Sequence, residues 1–257
     1  MSGALICAAA VACTSEPPLR FGTTYTLQQS GALALLDSLA DSAPARFVVV
    51  VGPSGQILRS AAARDLDVVL THAPALEQRW LEGPHVRRCP FAVSQFAVVG
   101  PAADPAAVAR ATSAADAFRR IHRASAIFVS RGDSSGTHER ELAIWRAAGI
   151  TPEPGPLYFE AGGDQSSTLR LADEWGGYAL ADLPTLARQR DLKLSVLFRR
   201  DSLLANPYTL FTVGSDSGHA GAAPFGAWLT TAWRARLLTL RLPDSTPAFA
   251  APPEPCT

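Results

Sequence analysis

Short apolar runs alternate with amphipathic stretches along most of this chain. Phe47-Val48-Val49-Val50-Val51 stops at Gly52, Asp67-Val68-Val69-Leu70 at Thr71-His72-Ala73-Pro74, and Phe96-Ala97-Val98-Val99 at Gly100-Pro101. Leu19–Phe21 opens the series, and it continues at Ile127–Ser130, Leu157–Glu160, Tyr178–Ala181, Leu194–Phe198 and Tyr208–Val213. Runs of β-branched and aromatic residues bounded by Gly or Pro predict strands. Helical spacing predicts helices over Ser30–Leu39, Gln56–Ala63, Ala75–Leu81, Ser113–Ala124, Thr137–Ala148 and Ser166–Trp175. A last helix is expected within Gly218–Leu238, around Trp228, Leu229 and Trp233. This alternation implies an α/β fold with mostly parallel sheets.

Ligands of such folds sit at the carboxyl ends of the strands. Four of those ends carry glycines and small hydroxyl residues: Gly22-Thr23-Thr24-Tyr25-Thr26, Gly52-Pro53-Ser54-Gly55-Gln56, Ser130 to Thr137, and Glu160 to Thr168. The third is the richest. Arg131-Gly132-Asp133-Ser134-Ser135-Gly136-Thr137-His138 lies between a strand and a helix. A turn of this kind points free backbone N–H groups and hydroxyls at one spot, the usual way to hold an anion. Arg131 adds a permanent charge and a planar fork of donors. Any one Ser or Thr before a helix is explained equally well as an N-cap. Four such turns in one chain describe a pocket of neutral donors with one Arg, suited to a small oxyanion.

The chain has 257 residues, 47% hydrophobic and 18% charged, enough for one large domain or two small ones. Its formal net charge is zero, which argues against a polyanion-binding surface and so against nucleic acid. The first residues, Met1 to Ala12, are apolar and small, and Ala10-Val11-Ala12 precedes Cys13. That pattern fits a cleaved leader and is similar to a lipobox with Cys13 as the lipidated residue. The expectation is therefore an exported protein, periplasmic or at the cell surface. Removing the leader leaves Cys89 and Cys256, which an oxidising compartment would permit to pair, although sequence does not show that they meet. No Cys-x-x-Cys or His-x-x-His spacing points to a metal.

The turns, in this order and spacing, resemble the tungstate-binding proteins of bacterial ABC importers, a periplasmic-binding-protein family. The family's Thr-Thr-Thr-Ser appears as Thr23-Thr24-Tyr25-Thr26, its Gly-Thr-Gly-Gln as Pro53-Ser54-Gly55-Gln56, and its His-Ala-Pro as His72-Ala73-Pro74. Its Phe-Val-Ser-Arg-Gly-Asp-x-Ser-Gly-Thr-His matches Phe128 to His138 almost letter for letter. Glu160-Ala161-Gly162, Thr168-Leu169, Tyr178-x-Leu180-x-Asp182 and Asn206-Pro207-Tyr208 complete the set, which runs from about Leu19 to the last helix. Four departures stand out. Tyr25 replaces a small hydroxyl residue and Pro53 a glycine. Asp164-Gln165-Ser166-Ser167 replaces a Gly-x-Gly segment, and Asp182-Leu183-Pro184-Thr185 lacks an Arg. A carboxylate at 164 would be unfavourable beside an anion unless it points away.

The resemblance implies a two-lobed, type II-like fold, each lobe a mostly parallel sheet flanked by helices, with a two-strand hinge near Val98-Val99-Gly100 and Asn206-Pro207-Tyr208. Residues 1–18 would be leader and linker, 19–97 with 206–242 one lobe, 98–205 the other, and 243–257 a flexible Pro-rich tail. It implies capture of a tetrahedral oxyanion, tungstate first, with molybdate, sulfate or phosphate as alternatives, and delivery to a membrane permease and ATPase by a monomer. The expected oxyanion ligands are Thr23, Thr24, Thr26, Ser54, Arg131, Ser135, Gly136, Thr137, Ser166 and Ser167. No cofactor and no protein-bound metal are expected, tungsten entering only as its oxyanion. Two other classes compete. A serine hydrolase would use Ser134 or Ser135 with His138, His72 or His219 as base, but no nucleophile-elbow pattern accompanies them. A ligand-sensing transcription regulator would need a DNA-binding segment for which the chain has neither length nor a basic helix.

Overall fold

The computed structural model describes residues 16–81, 86–214 and 219–256. The proposed leader and Cys13 lie outside the described residues. In chain order the strands and helices are β1 (Leu19–Thr24), α1 (Tyr25–Gln29), α2 (Ala32–Asp37), β2 (Phe47–Gly52), α3 (Ser54–Ala62), β3 (Val68–Thr71), α4 (Pro74–Trp80), β4 (Val86–Gly100), α5 (Ala114–Arg123), β5 (Phe128–Ser130), α6 (Gly136–Ala147), β6 (Tyr158–Glu160), α7 (Gln165–Glu174), β7 (Ala179–Asp182), α8 (Leu183–Leu186), β8 (Ser195–Phe198) and β9 (Ala205–Val213). A final helix runs Ala222–Leu237, with a π-helical stretch at Leu229–Trp233.

Two lobes share the long strands β4 and β9. The first lobe orders its strands β2-β1-β3-β9-β4. β1 pairs in parallel with β2 and β3, and β9 runs antiparallel to β3 and to the first part of β4. In the second lobe β7 and β8 pair antiparallel with the end of β4. The parallel pair β5–β6 joins them through a bridge from Phe128 to Tyr178. Each sheet is thus parallel where helices connect its strands and antiparallel where the shared strands enter. β4 exchanges β9 for β7 between Gln95 and Phe96, just before the Val98-Val99-Gly100 step read from the sequence.

The apolar runs are continuous because these strands are covered on both faces. Side chains alternate across a strand. Val68, Leu70 and Leu210 therefore join one core with Leu19, Phe21, Phe225 and Trp233, while Val69, Phe211 and Val213 join another beneath α3. The second lobe repeats the arrangement. Phe96, Val98 and Leu180 pack with Phe118, Phe128 and Trp145, and Ala97, Val99 and Ala181 pack with Leu169 of α7. β2 differs: it is an edge strand, and Val48 and Val50 are exposed.

The short helices α1 and α8, the start of β4 and the carboxy-terminal segment were not legible in the apolar pattern. The first ten residues of β4 carry Arg87, Arg88 and Pro90, which hid a strand that is half exposed at its start. The expected flexible tail is instead a folded strap. Val93 and Ala250 exchange both backbone hydrogen bonds at 2.9 Å, Phe249 is buried against Tyr208, and Cys256 forms a disulfide with Cys89. Leu242 touches cores of both lobes, and Asp244 pairs with Arg199 at 3.0 Å. The bridge spans 167 residues of sequence, so it removes much conformational freedom from the unfolded chain. Cys256→Ser is expected to cost about 2–4 kcal/mol, read as a lower thermal midpoint without reductant and no difference from the parent with reductant.

Candidate oxyanion site

The strap-bound hinge brings the four glycine- and hydroxyl-rich turns together. β1 runs into α1, β2 into α3, β5 into α6, and β6 into α7, so each turn ends at a helix N-terminus. Contacts across the lobes show that the turns meet. Gly55 N of α3 donates to Ser134 O at 3.2 Å, Thr185 Oγ1 donates to Thr26 O at 3.2 Å, and Ser166 N donates to Gln29 Oε1 at 3.3 Å. The first amides of α3, α6 and α7 cannot be paired within their helices and carry the positive end of the helix dipole.

Arg131 occupies the centre. It is 1% exposed, an unusual place for a guanidinium. Its Nη2 pairs with Asp133, its Nη1 donates to Thr26 Oγ1 across the lobes at 3.5 Å, and its Nε is buried with no partner. Asp133 also accepts from Ser135 N at 3.1 Å, so both its oxygens are engaged. The turn needs its glycines for distinct reasons. Gly132 has φ +60°, and a Cβ there would lie 2.6 Å from Glu160 Cβ. A Cβ on Gly136 would stand 2.3 Å from the carbonyl oxygen of His72, so the two lobes approach there as only glycine allows.

The hydroxyls divide by what they already do. Ser54 Oγ and Thr137 Oγ1 are buried without a partner, like Arg131 Nε. Thr24 Oγ1 accepts from Leu27 N, and Ser135 Oγ from His138 N. These are helix caps, yet each hydroxyl keeps its own hydrogen to donate. Thr23 spends its hydrogen on Leu70 O at 3.1 Å. Ser167 is exposed and donates to Asp164 at 2.7 Å. Ser166 has its amide on Gln29 and accepts from Gln189 at its hydroxyl. Asp164 is the N-cap of α7. Burial would raise its carboxyl, but the Ser167 amide and hydroxyl outweigh that and hold it below the usual range.

Behind the pocket lies a buried polar chain at the β4–β9 crossing. Asn206 Nδ2 donates to Ser94 Oγ at 2.9 Å and Asp182 Oδ1 at 3.1 Å, which leaves its Oδ1 to accept from His72 Nδ1 at 2.9 Å. His72 is therefore the Nδ1–H tautomer, stacked on Tyr208, and burial lowers its pKa to about 4. His138 takes the Ser134 amide, at 3.3 Å, on its Nδ1. Neither Ser134 nor Ser135 presents its hydroxyl to a ring nitrogen there, so the hydrolase geometry is not formed. Thr185, absent from the sequence-based site, donates its N–H to the N-cap Asp182 and reaches Thr26 through its hydroxyl. The Asp-x-x-Thr spacing of a capped helix start was its trace in the sequence. Gln29 left none.

Residues 12–232 match the model of the PBP superfamily domain. The tungstate-binding protein of Peptoclostridium acidaminophilum is 35% identical over 217 residues, covering 80% of this chain and 75% of that protein. This chain belongs to the tungstate-binding-protein family of the PBP superfamily. A solved structure titled as the tungstate ABC transporter from Geobacter sulfurreducens aligns with TM-score 0.73 and 32% identity, covering 83% of this chain and 94% of that one. The tungstate-binding protein from Desulfovibrio alaskensis G20 aligns with TM-score 0.72 and 26% identity, covering 93% and 100%.

One further group lies under the Arg131 turn. Glu141 is fully buried and accepts from Tyr158 OH at 2.7 Å. Burial raises its pKa to about 7 from 4.5, against the hydrogen bonds that favour its charge. A folded-state value above the unfolded one gives a stabilising contribution that is complete below pH 4.5 and lost as pH rises through 7. The isosteric Glu141→Gln removes that loss. Urea unfolding should show the variant gaining on the parent between pH 4.5 and 8, by roughly 3 kcal/mol in the limit set by the shift. Parallel curves would contradict the assignment.

Proposed function

We propose that this protein is the extracytoplasmic solute-binding component of an ABC importer, capturing one small, fully ionised tetrahedral oxyanion, tungstate before molybdate or sulfate. The observation that carries the reading is the set of buried donors without partners, Ser54 Oγ, Arg131 Nε and Thr137 Oγ1, at the meeting of helix N-termini. Burying a dianion is costly, and convergent N–H and O–H donors offset that cost. The free hydrogens of Thr24, Thr26 and Ser135 and the Gly136 and Thr137 amides complete the donor set we assign. Thr23 and Ser167 we leave out, because their hydroxyls are spent. Ser166 we assign to lobe closure.

The choice of a fully ionised anion rests on the acceptors. A protonated oxyanion such as hydrogen phosphate needs an acceptor for its own proton. Asp133 accepts from Arg131 and Ser135 N through both its oxygens, and Asp164 accepts from Ser167 through Oδ1. We therefore place phosphate after tungstate. We assign residues 19–95 with 206–242 to one lobe and 96–205 to the other, as a monomer without a cofactor or catalytic activity. A permease and ATPase are the partners inferred from the relatives' transport systems. The Cys89–Cys256 disulfide supports an oxidising compartment, and no described helix is long and apolar enough to cross a membrane. A leader with Cys13 as lipid anchor would hold the protein there.

Calorimetric titration tests this directly. One-to-one tungstate binding with no measurable phosphate binding is expected, and no heat with tungstate would contradict the reading. Arg131→Ala should weaken tungstate at least tenfold, since it removes a buried cation and leaves Asp133 unpaired. Gly136→Ala should weaken it comparably by holding the lobes apart at His72, with the unliganded melting midpoint little changed. An unchanged affinity in either variant would remove that residue from the account.

A further inference from the structure

Asp164 opens the segment that stands where the family carries Gly-x-Gly, and it lies opposite a residue that no motif singled out. Gln29 ends α1 in the first lobe. Its Oε1 accepts from Ser166 N, in the first turn of α7 in the second lobe, at 3.3 Å. That bond fixes the orientation of the amide. Its NH2 is then left to face the Asp164 carboxylate. One amide so accepts from an orphan helix donor and turns its own donors toward a carboxylate. Neighbouring contacts hold the corner. Gln189 Nε2 donates to Ser166 Oγ at 2.8 Å, and a Cβ on Gly31 would stand 2.9 Å from the Arg188 guanidinium carbon.

We propose that Gln29 is a positioning residue for anion capture, an amide latch that closes α1 of one lobe onto Asp164 and Ser166 of the other. The inference rests on the oxyanion reading above and adds to it the residue that holds the cleft shut. Gln29 does not touch the anion. It assigns the Ser166 amide to closure, and it gives the divergent Asp164 a role other than facing the ligand. The chemistry is specific to an amide: a carboxylate at 29 could still accept from Ser166 N but would face Asp164 with like charge.

Tungstate titration and small-angle scattering of the parent, Gln29→Ala, Gln29→Glu and the double variant Gln29→Glu with Asp164→Asn test the latch. Asn caps a helix as well as Asp, so the double variant keeps α7 intact. Losing the Ser166 hydrogen bond and the amide that faces Asp164 should weaken tungstate about tenfold in Gln29→Ala. Gln29→Glu should be weaker still, and the double variant should recover to about threefold of the parent. All four should keep the parent's fold, read as the same far-ultraviolet dichroism, so that lost affinity is lost closure and not lost folding. Single variants that bind within twofold of the parent, or a double variant as weak as Gln29→Glu, would overturn the latch. Scattering separates this from the oxyanion reading. A parent that takes up no oxyanion, yet is more compact than Gln29→Glu, overturns the oxyanion reading and keeps the latch. Equal radii of gyration for parent and Gln29→Glu in every condition overturn the latch.

Discussion

Everything in this structure answers to one constraint, a guanidinium buried between two lobes. A charge removed from water is destabilising by several kcal/mol unless it is paired and hydrogen-bonded. Arg131 meets that demand with Asp133 on its own turn and Thr26 on the other lobe, and keeps Nε for a further acceptor. The internal pair neutralises the cation, so the affinity we propose for a dianion must come from dipoles: the hydroxyls, orphan amides and helix N-termini of the turns that meet there. Such donors do not titrate near neutral pH, and they favour an anion with no proton of its own.

The fold is arranged to deliver those dipoles from opposite sides. Each lobe has its own pair of apolar cores, and among the described residues β4, β9 and the carboxy-terminal strap pass between them. The crossing is where a buried polar chain, His72, Asn206, Asp182, Ser94 and Tyr208, sets side-chain orientation. Burial pushes the Asp182 carboxyl up, and its bonds to Ser94, Asn206 and Thr185 hold it in place. With both ends of the hinge tied down, the lobe closure we propose would be left small rotations as its route.

Much of this was legible in the sequence, for reasons that can be named. Strands buried on both faces leave continuous apolar runs, and Val68–Leu70, Phe96–Val99 and Tyr178–Ala181 fell where expected. Turns that bind through backbone and hydroxyl leave Gly, Ser and Thr in fixed order, so the Arg131 turn stood out. What was hidden depends on tertiary partners. Arg87 and Arg88 masked the start of β4 because that end of the strand faces solvent. The strap lacks periodicity, being held by a disulfide, one bridge and Phe249. A hydroxyl's role as donor, cap or latch is decided by what the other lobe presents, as Ser166 against Gln29 illustrates.

A crystal structure of the tungstate complex, phased at the tungsten absorption edge, decides whether these donors hold the anion. A single tungsten is expected between the lobes, its oxygens within hydrogen-bond distance of Ser54 Oγ, Arg131 Nε and Thr137 Oγ1, with the Arg131–Asp133 pair intact. Tungsten found elsewhere, or Asp133 turned onto the anion in place of Arg131, would contradict it.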